Sequence, residues 1–423
     1  MTKLRLVAAL AACGVIVAAC GSSSKVATTT TAAAPTTAAA TTTTAGATTT
    51  AGATTTAAAT TTAAATTTTA AAPTTAAGDA GLAAAQKVLD QYGTEPTQIP
   101  VTEPITAKIP KKTVAWLECN IPTCQAYETP GFKAATAALG WTLKVIPMDS
   151  AKPSVAVQQA IDAGVNYIAL SGEAYSLYKD QALAAKAKGI LMFGMYDTSS
   201  PVSVDSNNLT EPGDAKLVNT SYPIGADWTI VDSKSNANVL LVTIPSFAVL
   251  KTGADAFKAE LTKNCSKCVY NELDATIDDL VGGKIPGQIA SQLQSNSKIN
   301  YVYFGFGDLP GGVLAALKSA GLDKQVKLAG QDFSKSDLPD IISGAQGAWT
   351  SDPKQYAAWL TVDAMARAAS GMPLADVVTL EQKYSGLISW LVSKPADAQK
   401  ILDAGGDWFP SALADQFKKL WGV

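Results

Sequence analysis

The side chains able to do chemistry are few and of limited kinds. The 423-residue chain contains no histidine, which removes imidazole-based nucleophile triads and most zinc enzymes. Gly282-Gly283-Lys284-Ile285 lacks the Lys-Ser or Lys-Thr ending of a phosphate-cradling loop. Asp278-Asp279 has the composition of a glycosidase pair, but two adjacent carboxylates opening a helix read as a solvated face. Beyond Arg5 there is a single arginine, Arg367. It falls inside a long helical stretch, so no guanidinium fork is offered to a phosphate or carboxylate. What remains is a set of acceptors, hydroxyls and aromatic rings, suited to holding a neutral polar molecule rather than transforming it. No enzyme activity, cofactor or metal is expected.

The six cysteines divide by position. Cys13 lies in an apolar leader, and Cys20 follows Val17-Ala18-Ala19 in a pattern that resembles a bacterial lipobox, whose cysteine takes a lipid. Cys119 with Cys124 and Cys265 with Cys268 form two local pairs. In an oxidising compartment these read as disulfides. The spacing Cys265-Ser266-Lys267-Cys268 also suits a four-thiolate zinc site if Cys119 and Cys124 approach it. A redox-active second pair is a third reading, weakened because the pair follows a helix instead of opening one.

Lys3 and Arg5 precede the apolar run 6–19, which marks a secretory signal over residues 1–20. The run is too short for a membrane-spanning helix of about 20 residues. From 21 to 78 the chain is almost wholly Thr and Ala, with too few large apolar groups to offset ordering entropy, and reads as a disordered tether with a coil dimension of roughly 40 Å. A formal net charge of −3 and short basic runs at Lys111-Lys112 and Lys418-Lys419 argue against nucleic-acid binding.

The elements that must position the site follow. After a helix and extended stretch over 79–111, strand patterns at 113–118, 142–148, 167–171 and 190–195 alternate with helical ones at 131–139, 155–163 and 177–188. A less regular passage spans 199–212. A helix at 214–231 resumes the alternation, with strands at 239–243, 268–273, 301–304, 326–329 and 348–350. Helices at 250–261, 285–295, 312–320, 337–343 and 354–369 lie between and after them. This predicts an α/β fold of two Rossmann-like lobes with parallel sheets covered on both faces. The lobes are assigned to 112–210 with 352–385, and to 211–351 with 386–423. The crevice at the carboxyl ends of the strands is the expected ligand site.

The residues also resemble type I periplasmic sugar-binding proteins over about 112–395. The resemblance rests on Gly131 through Gly140-Trp141, Gln158-Gln159-Ala160-Ile161, Gly164-Val165-Asn166-Tyr167-Ile168 and Lys188-Gly189-Ile190 in the first half. In the second it rests on Phe304-Gly305-Phe306-Gly307-Asp308, Gly312 through Gly321, Gly330-Gln331-Asp332 and Thr350-Ser351-Asp352-Pro353. It implies a hinged receptor that closes on a sugar or polyol and presents it to an ABC permease, held as a monomer to the outer face of the cell membrane by a lipid on Cys20. A sensor signalling to a membrane partner is the alternative. Carried across by position, the implied ligand contacts are Asn120, Thr123, Gln125 and less securely Tyr127, with Tyr196, Asp197 and Lys251. Phe306, Asp308, Asp332 and Ser351 complete the set, with Trp349 beside it. The loop between Cys119 and Cys124 departs from the aromatics usual in the family, which puts ring stacking there in doubt. Asp197 also fits a turn, and Lys251 an exposed helix face.

Overall fold

Apolar runs of four to seven residues, too short for helices and flanked by amphipathic stretches, form strands that helices cover. The structure, a computed structural model, describes residues 75–423 other than 198, 200, 214–216, 352, 385–387 and 410. The leader with Cys20 and the tether through Thr74 lie outside the described residues, as does Asp352. A leading helix α1 (Thr75–Tyr92) and an extended strap precede β1 (Thr113–Cys119), α2 (Thr129–Ala138), β2 (Thr142–Met148), α3 (Pro153–Asp162), β3 (Tyr167–Ser171), α4 (Lys179–Ala187) and β4 (Leu191–Met195). These strands make a parallel sheet in the order β2-β1-β3-β4. β3 is buried at every position, as expected for a strand with helices on both faces.

The second lobe runs α5 (Tyr222–Asp232), β5 (Asn238–Thr243), α6 (Ala248–Asn264), β6 (Val269–Asp274), α7 (Ile277–Val281), α8 (Ile285–Ser295), β7 (Tyr301–Phe304), α9 (Val313–Ala320), β8 (Lys327–Gln331), α10 (Leu338–Ser343) and β9 (Gln346–Ser351). The chain then crosses to α11 (Lys354–Ala369) and α12 (Leu374–Tyr384), returns as β10 (Trp390–Val392), and ends in α13 (Pro395–Asp403) and α14 (Ser411–Trp421). The sheet order is β10-β9-β8-β7-β5-β6.

Three features depart from the sequence expectation. β10 pairs antiparallel with β9, because the chain reaches this edge on its way back from α12, and an antiparallel edge strand is common on such sheets. The helix expected from 214 begins at Tyr222, with Pro223 in its first turn, after a wide turn at Leu217–Ser221. The short α7 was not anticipated. It opens on a capping box between Thr276 and Asp279, which gives the Asp278-Asp279 pair a structural use.

α11 packs on α2 and β4 of the first lobe. A Cβ on Gly131 would stand 2.8 Å from that of Ala358, so this glycine lets α2 and α11 approach closely. Trp116 stacks on Phe132 with centroids 4.4 Å apart in the first core, and Phe304 on Trp349 at 6.1 Å in the second. One apolar core runs through both, from Tyr196 and Leu209 to Phe247, Leu250 and Phe306.

The strap before β1 ties the lobes together. α1 packs on α5 and α6 of the second lobe. Further on, Ile99 N–H donates to Gln416 Oε1 (3.0 Å), Ile105 N–H to the Leu420 carbonyl (2.7 Å), and Arg367 Nη2 to the Glu103 carbonyl (2.7 Å). The tail divides likewise: α13 packs on α10, and α14 on α11. No helix among the described residues is long and apolar enough to cross a membrane.

Candidate functional site

The strands of both sheets end at one place, and the residues leaving them enclose a cavity of about 60 Å³. Cys119 ends β1, Ser171 ends β3, Tyr196 follows β4, and Gln331 ends β8. Phe247 and Phe306 follow β5 and β7 and supply ring surface. Such a volume holds a few waters. Gly172, at φ +87°, turns the chain after β3, and a Cβ there would lie 3.4 Å from the Phe247 ring of the other lobe. Two backbone contacts also join the lobes: Thr123 N–H donates to Asp308 Oδ2 (3.2 Å), and Lys335 N–H to the Tyr127 hydroxyl (2.6 Å).

Lys354, the first residue of α11, is the cation of the site and is buried. Its ammonium pairs with Asp332 and stands 4.5 Å from the centroid of the Tyr196 ring. Tyr196 and Asp332 are the residues immediately after β4 and β8, and both adopt left-handed backbone, at φ 55° and 59°. A non-glycine residue pays of order 1–3 kcal/mol for that conformation, and such residues cluster at ligand sites. Here the strained turns bring an anion from one lobe and a ring from the other onto a single ammonium.

Carboxyl groups outnumber that ammonium. Burial pushes Glu128 up to about 7; Lys354 and a hydrogen bond from Ser171 Oγ (3.0 Å) oppose this, while Asp332 and Asp308 add to it. Burial raises Glu173 to about 8, helped by Glu128 and Asp197, with the Ser150 hydroxyl a partial offset that falls short of hydrogen-bond geometry. Asp332 is raised to about 6 by burial against the pull of Lys354. Burial likewise raises Asp308, and takes Asp337 and Asp407 to about 7. In each case burial favours the neutral form of the carboxyl.

The residues singled out from the sequence fall into three groups. Thr123, Tyr196 and Phe306 line the cavity, and Asp332 holds its lysine. Asn120, Gln125, Tyr127 and Asp308 line an open groove of about 840 Å³ on the other side of the 120–127 segment. Asp197, Lys251, Ser351 and Trp349 are not among the cavity-lining residues. Asp197 accepts from Tyr175 N–H (3.0 Å) and from Ser199 N–H (2.8 Å) and Oγ (2.5 Å), which makes it a loop-capping residue. Lys251 pairs with Asp255 one turn along α6, on the surface. Ser351 is a buried strand residue opposite Trp390, and Trp349 donates to Gln346 Oε1 (2.8 Å) inside the second core.

Glu128, Gln331 and Lys354 were missed. Glu128 stands just before Thr129-Pro130 and Lys354 just after Pro353, positions that in sequence look like ordinary helix starts. The Gly330-Gln331-Asp332 motif pointed to the right turn, but to its aspartate.

The cysteine pairs lie in different lobes, Cys119 with Cys124 at the cavity and Cys265 with Cys268 between α6 and β6. That separation overturns a four-thiolate zinc site. Their Cα atoms are 5.7 and 5.4 Å apart, within disulfide range. Glu128 approaches the first pair within reach of a common ion.

Residues 125–373 match the family model described as a periplasmic binding protein domain. No protein of curated function matches the sequence significantly. Among solved structures, a carbohydrate transporter from Acidothermus cellulolyticus in complex with myo-inositol aligns at 20% identity and TM-score 0.57, covering 70% of this chain and 98% of that one. A 5-methylthioribose transporter solute-binding protein from Thermotoga lettingae, in complex with 5-methylthioribose, aligns at 16% and 0.58, covering 75% and 100%. An ABC transporter solute-binding protein from Mycobacterium smegmatis with bound glycerol aligns at 18% and 0.57, covering 69% and 97%. At such identities the likeness is one of fold.

Proposed function

Because the chain belongs to the periplasmic binding protein family, we propose that it is the extracytoplasmic solute receptor of an ABC importer, closing its two lobes on a small neutral sugar or polyol. The observation that carries this reading is the cavity between the strand ends, where ring faces from both lobes meet hydrogen-bonding groups while the one cation among its described lining residues is already paired. The ligands of the similar structures, myo-inositol, 5-methylthioribose and glycerol, are of the same neutral, hydroxyl-rich kind. The protein acts by binding and not by turnover. Ligand binds an open form, the lobes rotate about the segments that join them, and the closed form is favoured by as much as the ligand prefers it.

In this reading Cys20 carries the lipid, the tether lets a monomeric receptor reach the permease, and both cysteine pairs are oxidised. The first lobe comprises 112–210 with 352–385, and the second 211–351 with 386–423, except that α14 packs on α11 of the first. A thermal-shift screen of the mature protein against sugars and polyols tests the ligand class. A ligand at one hundred times its Kd should add about 2.7 kcal/mol to stability, and no shift with any sugar or polyol would reject the reading. Mass spectrometry of the membrane-extracted protein tests the lipid, since a mature form starting at Cys20 without acyl chains would remove the anchor.

A further inference from the structure

Two buried side-chain oxygens on the cavity wall have no partner among the described residues: Glu128 Oε2 and Gln331 Oε1. Glu128 is 2% exposed and Gln331 is 1% exposed. They come from opposite lobes, one from the start of α2 and the other from the end of β8. A buried polar atom left unpaired costs free energy that a ligand recovers by supplying the missing bond. Asp332, the carboxylate that the family resemblance implied, is already engaged by Lys354.

We propose that Glu128 and Gln331 determine specificity, each hydrogen-bonding a hydroxyl of one polyhydroxylated neutral ligand, so that the ligand itself bridges the lobes. The inference rests on the receptor reading above and names the groups that select the ligand. Gln331 Oε1 is an acceptor, whereas Glu128 Oε2 accepts when the carboxyl is ionised and donates when it is protonated, so the ligand must offer hydroxyls, which do either, at two separated points. A carboxylate or phosphate group would face Glu128, which already feels the charges of Asp308 and Asp332, and among the described lining residues the cation, Lys354, is paired with Asp332. The Ser171 hydroxyl already donates to Glu128 Oε1 (3.0 Å) and so occupies the first oxygen of the carboxyl, not the second.

The test uses the full exported chain and calorimetric titration with myo-inositol, glycerol, D-arabinose, D-glucosamine and D-gluconate. At least one neutral polyol should bind, and D-gluconate should not. Glu128→Leu and Gln331→Leu should each weaken the polyol that binds by about 10- to 100-fold. Each should also raise the unliganded melting temperature, because each removes an unpaired buried oxygen. A residue with only a structural role would lower the melting temperature instead. Glu128→Gln keeps the shape and a hydrogen-bonding group: with its oxygen accepting from Ser171 it presents an amide N–H to a ligand hydroxyl, and it should recover most of the affinity lost in the leucine variant.

If no neutral member of the panel binds the wild type, the receptor reading fails and takes this inference with it. If a polyol binds the wild type and both leucine variants equally, or if only D-gluconate or D-glucosamine binds, the inference alone is overturned.

Discussion

The ammonium of Lys354 lies 4.5 Å from the centroid of the Tyr196 ring, and both groups are there because two separate turns are held left-handed. Tyr196 leaves the first sheet and Asp332 the second, while Lys354 enters the cavity at the start of α11, next to the crossing between lobes. Replacing Lys354 by methionine strands Asp332 in a buried site. Breaking a buried pair from one side costs about 3–5 kcal/mol, so Lys354→Met should unfold at markedly lower urea concentration at pH 7.5. Its deficit should shrink at pH 5, where Asp332 takes up a proton. An equal deficit at both pH values would show that the pair is not what the lysine supports.

The raised carboxyls give the whole protein an unusual pH profile. Glu128 faces Lys354, Ser171, Asp308 and Asp332, while Glu173 faces Ser150, Glu128 and Asp197. Their folded values, about 7 and about 8, stand above the ordinary 4.5, and Asp332 at about 6 stands above 3.8. The folded chain therefore binds more protons than the unfolded one across this window. The stability these groups contribute is complete below pH 4 to 4.5 and is lost as the pH climbs through the folded values. The melting temperature should fall from pH 5 to pH 8.5, and Glu173→Gln should flatten the upper part of that slope. A melting temperature that rises over the same range would contradict the burial assigned to these groups.

Much of this architecture is written in the local sequence, and the site is written only partly. β2, β3 and β7 coincide with the apolar runs at 142–148, 167–171 and 301–304, since a short parallel strand between helices shows its limits as a change of hydrophobicity. β10 has three residues and no such contrast. Within the site, the residues after strand ends were accessible because loop position implies the crevice. Glu128 and Lys354 were not, because a charged residue at a helix start is normally solvated. Only the packing of α11 on α2 turns both inward. Asp197 and Lys251 failed for the opposite reason: each has a partner two to four residues away or within its own loop, and local pairing removes a side chain from the cleft.

The two cysteine pairs should differ in effect. Each closes a loop of only a few residues, with sequence separations of 5 and 3, so chain entropy assigns each about 2 kcal/mol. The first pair also holds the segment whose Thr123 N–H reaches Asp308 across the lobes, whereas the second sits between α6 and β6. Replacing Cys119 and Cys124 together by serine should lower both stability and affinity for a bound polyol. The same change at Cys265 and Cys268 should lower stability alone. Calorimetry showing equal loss of affinity in both variants would remove the first pair from the closure of the cavity.

Arg367 is absent from the cavity because the fold uses it elsewhere. Its Nε donates to Asp363 Oδ2 (2.6 Å), its Nη2 to the Glu103 carbonyl (2.7 Å), and Trp421 Nε1 donates to Asp363 Oδ1 (2.6 Å). One buried guanidinium thus ties the strap, α11 and α14. Burial pushes the Asp363 carboxyl up, with Arg367 and Trp421 holding it back. Glu381 beside them is raised well above the usual carboxylate range by burial and by Asp363. Arg367 stands thirteen residue steps along the helix from Lys354, about 20 Å at 1.5 Å per residue. Arg367→Met should therefore cost about 3–5 kcal/mol by leaving Asp363 buried without its partner, while polyol affinity measured on the folded fraction stays within about twofold, as for distant independent sites. Adding Asp363→Leu to that variant should restore part of the loss, because removing both partners of a buried pair costs less than removing one. Urea unfolding of the single and double variants decides it: a double variant less stable than the single one would show that Asp363 serves Trp421 and α14 independently of the arginine.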